Sequence, residues 1–296
     1  MPDPQRPLKE FRPKHDFMIA IDSDGCAFDT MEIKHKECFI PNIINHWDLQ
    51  AVSKYAREAG EFVNLYSKWR GINRFPALLM VFDLLADRPE AVKRGVRMPD
   101  VASLRKWVET EAKLGNPALE QIAKRTGDPV LERTLRWSKA VNKSVEDMVR
   151  GVPPFPLVRE SLEKAFVRAD MIVVSATPGE ALVREWEEHD IAGHVAVIAG
   201  QELGKKSDHL TLAAKPNYPP DRILMVGDAP GDMTAARAVN ALFFPIKPGS
   251  EDESWEVLYN EGLDRFFSGE FAGEYERRLV DDFLNSLPDV PPWKKH

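Results

Sequence analysis

Apolar and polar positions divide this chain into three regimes. A short apolar run, Phe17-Met-Ile-Ala-Ile21, stops abruptly at Asp22-Ser-Asp24-Gly25. A run of that length and kind predicts a strand buried on both faces of a parallel sheet. From Met31 to Arg150 apolar residues recur at helical spacing, predicting helices over 43–59, 61–70, 75–85, 99–114, 117–126 and 129–150. Gly71, Gly95, Gly115 and Gly127 punctuate them, and no fixed period marks a solenoid. Gly151-Val-Pro-Pro-Phe-Pro156 closes this block. Beyond it the pattern alternates, with strands predicted over 171–174, 194–199, 222–226 and 241–244 and helices over 158–168, 179–189, 207–214 and 232–239. Such alternation implies right-handed crossovers, hence the α/β class with a doubly wound parallel sheet. The expected organisation is an α/β core over 1–32 and 151–296, interrupted by a large all-helical cap domain over 33–150. The first sixteen residues read as an irregular lead-in; the tail after Pro245 reads as two structural helices, 252–260 and 271–284, burying Trp255, Leu258, Phe266, Phe267 and Phe283.

Composition narrows the function classes. At 296 residues the chain is long enough for two cores, and its net charge of -7 argues against a nucleic-acid backbone or an anionic membrane as the main partner. Two cysteines, Cys26 and Cys38, supply neither a disulfide framework nor zinc-ligand spacing, which favours a reducing cytoplasm. The lead-in has prolines and mixed charges in place of the apolar core of a signal peptide, and the longest apolar stretch, 76–86, is interrupted by Asp83. A soluble cytoplasmic protein is expected.

In a doubly wound sheet the ligand site lies beyond the carboxyl ends of the strands. Four predicted strand ends carry polar groups: Asp22 and Asp24; Ser175 in Val173-Val-Ser-Ala-Thr-Pro178; Gly204-Lys205-Lys206-Ser-Asp-His-Leu210; and Gly227-Asp228-Ala-Pro-Gly-Asp232. Taken singly each has an ordinary use. Ser175, Thr177 or Asp232 suits a helix cap, Asp228 a turn, and the two lysines a solvated helix start. Gly200 to Ser207 superficially resembles a phosphate-binding P-loop, but only three residues separate Gly200 from Gly204 where four are required. Taken together, Asp22, Asp24, Asp228 and Asp232 make an all-oxygen site suited to Mg²⁺, and a hydroxyl with an ammonium suits the remaining oxygens of a phosphoryl group.

With these residues in that order on successive strands, the sequence resembles the haloacid dehalogenase superfamily of phosphohydrolases, over the whole α/β core. The resemblance implies a nucleophile at Asp22, which forms an aspartyl phosphate, and an acid/base at Asp24. It implies Mg²⁺ held by Asp22, Asp228 and the backbone carbonyl of Asp24, with Asp232 binding directly or through water. Ser175 would hydrogen-bond the phosphoryl and Lys206 would offset its charge. Either Lys205 or Lys206 satisfies the lysine position, and the Lys-x-x-His-Leu spacing favours Lys206. Cys26 stands where many relatives have Thr or Val. Met31 to Arg150 matches the position of the family's first type of cap, though it is longer than the commonest version. Within it Arg70, Asn73 and Arg74, around Gly71, form a polar turn able to grip an anionic substrate, or merely a solvated surface turn. The expected partner is a small phosphorylated metabolite. Competing functions are a phosphomutase, carbon–halogen or carbon–phosphorus cleavage on the same scaffold, and an aspartate phosphorylated as a signal. Asp24 and the cap weigh against the last three but leave the mutase open.

Overall fold

The computed structural model describes residues 3–294. Five parallel strands form one sheet in the order β3-β2-β1-β4-β5, where β1 is Phe17–Ile21, β2 Ala169–Val174, β3 Val197–Ala199, β4 Ile223–Gly227 and β5 Leu242–Pro245. The reason the strands read as unbroken apolar runs is now visible. Ile19, Ile21, Val173, Val226 and Phe244 face one core together with Trp186 and Trp255, while Met18, Ala20, Ile172, Met225 and Phe243 face the other. The sheet is therefore covered on both sides. The chain order places β1 at the centre, between β2 and β4, at the point where the winding reverses.

The described residues group into two compact units. The α/β unit holds those up to Thr30 and Gly151–Leu287; the helical unit holds Met31–Arg150 and those from Pro288 on. The segment after Leu287, expected with the α/β stretch, thus belongs with the helices: Lys68 pairs with Asp289, Lys294 with Asp87, and Trp293 packs edge-on against Phe62. The lead-in contributes a short helix, Arg6–Lys9, and buries Leu8 and Phe11 in the core. The five apolar residues expected to bury from the tail are all in the core. Among the described residues no helix is long and apolar enough to cross a membrane.

Inside the helical unit three expectations need correction, the first being the helix expected over 99–114, which is only Ala102–Thr110. The helix expected over 43–59 is two helices, Ile40–His46 and Ser53–Asn64. The turn between them places Asp48 at a positive φ of 56° while Trp47 and Leu49 on either side stay buried. No separate helix covers 61–70; Ser53–Asn64 ends there, and the Arg70 guanidinium donates to the Leu65 carbonyl at 3.0 Å. The strand expected over 194–199 is only Val197–Ala199, because His194 closes a 3-10 turn.

Candidate active site

Each carboxyl end of β1, β2 and β4 delivers acidic or hydroxyl groups, and the backbone keeps them close. Asp22 N–H donates to the Val226 carbonyl at 3.0 Å, continuing the β1–β4 pairing by one residue past the strand. The chain then turns. Gly25 takes a φ of 75°, and its N–H donates to Phe28 O at 2.8 Å. Two buried tryptophans pin this loop from below: Trp255 Nε1–H donates to Cys26 O at 2.8 Å and Trp186 Nε1–H to Ser23 Oγ at 3.0 Å.

Asp22, Asp228 and Asp232, all buried, bring one carboxylate oxygen each within 4.8 Å of one another. Lys206, the first residue of the helix Lys206–Ala213, donates to Asp22 and, at 2.5 Å, to Asp232 Oδ1. Lys205 instead occupies the cap position, its N–H bonded to Asp208 Oδ2 at 2.9 Å. The other oxygen of Asp232 accepts from the N–H groups of Asp228 (3.1 Å) and Ala229 (3.0 Å), so this side chain folds the loop after β4 around itself. Gly227 permits that fold, since a Cβ there would lie 2.4 Å from Asp232 Cβ. Gly200 serves the neighbouring loop in the same way: a Cβ would meet Gly179 N at 2.5 Å and Thr177 O at 2.8 Å.

Asp24 has different neighbours. Both of its oxygens accept hydroxyl donors, one from Thr30 and the other from Thr177 at 2.5 Å. Ser175 lies buried just past β2 with its Oγ accepting the Thr177 N–H at 3.2 Å. Among the residues proposed from sequence, the structure therefore gathers Asp22, Lys206, Asp228 and Asp232 into one cluster, with Asp24 next along the chain and tied through Thr177 to the loop carrying Ser175. Arg70, Asn73 and Arg74 belong to the helical unit and make hydrogen bonds within it. Asn73 caps the helix Arg74–Ala86 through Phe75 N–H at 3.0 Å, and Arg74 donates to Ser138 and Asn142 beneath the Phe39 ring. Thr30, Glu185 and Trp186 were not marked by any local pattern in the sequence, and Trp255, expected only to bury, also donates to the loop.

The electrostatics follow from burial and from one excess of charge. Burial pushes the Asp22 carboxyl well above the ordinary carboxylate range; Lys206 opposes that, and Asp232 and Asp228 add to it. Asp232 is raised for the same reasons. Burial alone would lower Lys206, but attraction from Asp22, Asp232 and Asp228 outweighs it and holds the ammonium firmly charged. With all three carboxylates ionised, one ammonium leaves two negative charges, the complement of a divalent cation, and the donors are all oxygen. The residues present thus fit such an ion.

No family model and no curated protein matches this chain. The fold and site define a class, a doubly wound α/β protein with an Asp-x-Asp loop after its central strand. Solved structures similar to the chain include a haloacid dehalogenase-like family hydrolase from Streptococcus pneumoniae (14% identity, TM-score 0.44, covering 82% of this chain and 90% of that one). Others are a subfamily IA hydrolase from Geobacter sulfurreducens (16%, 0.40, 79% and 89%) and CbbY from Rhodobacter sphaeroides in complex with phosphate (16%, 0.42, 79% and 87%). At these values the likeness decides neither reaction nor substrate.

Proposed function

We propose that this protein is a phosphohydrolase of the haloacid dehalogenase type, acting on monoesters of small phosphorylated metabolites through an aspartyl-phosphate intermediate. The observation that carries this reading is the division of labour between two carboxylates one residue apart. Asp22 sits in the buried cluster with Lys206, whereas Asp24 is held outside it by hydroxyl donors. One is placed as a nucleophile and the other, apart from that cluster, as the group that passes a proton to and from the reacting oxygens.

In this mechanism an Asp22 oxygen attacks phosphorus as the bond to the ester oxygen breaks, and Asp24 delivers its proton to the departing alkoxide. Asp24, now ionised, takes a proton from water as that water attacks the phosphorus of the aspartyl phosphate, releasing inorganic phosphate and regenerating Asp22. Lys206 holds the Asp22 carboxylate in place and offsets charge on the transferring group. Ser175 accepts a hydrogen bond in the free protein and keeps its own hydroxyl proton for a phosphoryl oxygen. Asp22, Asp228 and Asp232 would hold Mg²⁺, which would offset the charge of a phosphate monoester dianion brought beside three carboxylates.

The test is phosphate release from a panel of phosphomonoesters, with Mg²⁺ and with EDTA. Asp22→Asn should abolish turnover, and Asp24→Asn should lower it by roughly 10²- to 10⁴-fold, as for loss of a general acid or base. Full activity in Asp22→Asn would refute the assignment.

A further inference from the structure

Asp22 and Asp24 are joined by Ser23, and that residue is completely buried. Its main chain already serves the loop. The Ser23 N–H donates to Asp22 Oδ1 at 2.8 Å, and its carbonyl accepts from Ala27 N–H at 2.9 Å and Phe28 N–H at 3.0 Å. The side chain reaches instead to the helix Gly179–Glu188. Ser23 Oγ–H donates to Glu185 Oε2 at 3.0 Å, and the same oxygen accepts from Trp186 Nε1–H at 3.0 Å. A hydroxyl has one proton, and here Glu185 takes it while Trp186 fixes the lone pair. The rotor is locked on both sides.

Two features separate this from ordinary core packing. The acceptor is a partly buried carboxylate, a stronger acceptor than the neutral oxygens that usually serve a core hydroxyl. It anchors the single residue between the two aspartates, and Trp186 continues into Phe28 at 5.9 Å, which bridges back to Asp24. We propose that Ser23, held by Glu185 and Trp186, is a positioning residue that sets the relative orientation of Asp22 and Asp24, so that nucleophile and acid address one phosphoryl group. This rests on the phosphohydrolase reading above. Reacting groups tolerate little displacement, and a misplacement of about 1 Å costs on the order of 10²-fold in rate.

Three variants test it: Ser23→Ala, Ser23→Thr and Glu185→Gln, each assayed for kcat and KM on the best monoester of the panel and normalised to folded protein by near-ultraviolet circular dichroism. Ser23→Ala should lower kcat by about 10- to 10²-fold with KM nearly unchanged, because Ser23 orients the reacting groups without touching substrate. Ser23→Thr, which keeps the hydroxyl, should recover most of that loss, and Glu185→Gln should lower kcat several-fold. A folded Ser23→Ala protein with wild-type kcat overturns the proposal. If Ser23→Ala does not fold, Glu185→Gln decides, and an unchanged kcat there overturns it equally. Wild-type protein that releases no phosphate overturns the phosphohydrolase reading itself, a different result from turnover that is indifferent to Ser23.

Discussion

Replacing Lys206 by methionine removes the one cation of the buried cluster at nearly constant length. Its Nζ lies 2.5 Å from Asp232 Oδ1 and also bonds Asp22, with the lysine side chain only 19% exposed. Two unit charges at that separation attract by about 7 kcal/mol at an effective dielectric of about 20. Desolvation of the ammonium offsets several kcal/mol of this, and breaking a buried pair by removing one partner costs about 3–5 kcal/mol. In EDTA at pH 7.5, urea unfolding of Lys206→Met should therefore fall short of wild type by that amount, a large part of a typical stability of about 5–15 kcal/mol. The sign with pH is fixed by the raised carboxyls of Asp22 and Asp232. A carboxyl raised on folding binds its proton more tightly in the folded state, so it costs stability as pH rises above its unfolded value and relieves that cost on acidification. The deficit should shrink toward pH 5 and should also shrink on adding Mg²⁺. A deficit below about 1 kcal/mol in EDTA, or one that grows in acid, would refute the charge argument.

Two further predictions concern the frame around the cluster. Gly227→Ala would drive a Cβ to 2.4 Å from Asp232 Cβ, in a loop whose hydrogen bonds leave that side chain no room to retreat. It should cost about 1–3 kcal/mol and most of the turnover, while Gly231→Ala, with nothing within 4 Å, should be nearly silent in thermal melting and assay alike. His209, buried one turn after Lys206, is lowered by burial from 6.5 to about 4. Its neutral form is the folded one, so the stability it contributes is complete above pH 6.5 and is lost as pH falls toward 4, amounting to about 3 kcal/mol at 1.36 kcal/mol per pKa unit. Urea unfolding of His209→Leu between those limits should show a flatter acid slope; an unchanged slope would assign the acid loss to other groups.

What could be read in the sequence follows from how far the determining contacts reach along the chain. A strand buried on both faces is an unbroken apolar run, and the residues that close β1, β2 and β4 stand within a few positions of where the run stops, so Asp22, Asp24, Ser175 and Asp228 are local signals. The choice between Lys205 and Lys206 is nearly local too. It is settled by which residue caps the helix and which begins it. Helix breaks were less legible for a physical reason: Trp47 and Leu49 both bury across the turn at Asp48, so the apolar period runs through a place where the backbone does not. Arg70 and Asn73 illustrate a second ambiguity, since a polar residue at a helix end suits a helix terminus as well as it suits an anion, and here both bind backbone at helix ends.

The supports of the site were beyond reach altogether. Ser23 meets Trp186 across 163 residues, Asp24 meets Thr177 across 153 and Cys26 meets Trp255 across 229, and no spacing rule links such pairs. Each becomes adjacent only because β1 lies at the sheet centre, with the helix after β2 and the tail helix Glu251–Val257 packed on one face. The central strand brings its carboxylates to an edge where groups from β2 and β4 meet them, and the same centrality puts two tryptophans beneath the loop. Fold and chemistry are therefore coupled through the residue between the two aspartates. The motif can be recognised from its carboxylates alone, whereas its precision depends on Ser23, whose partners only the finished sheet provides.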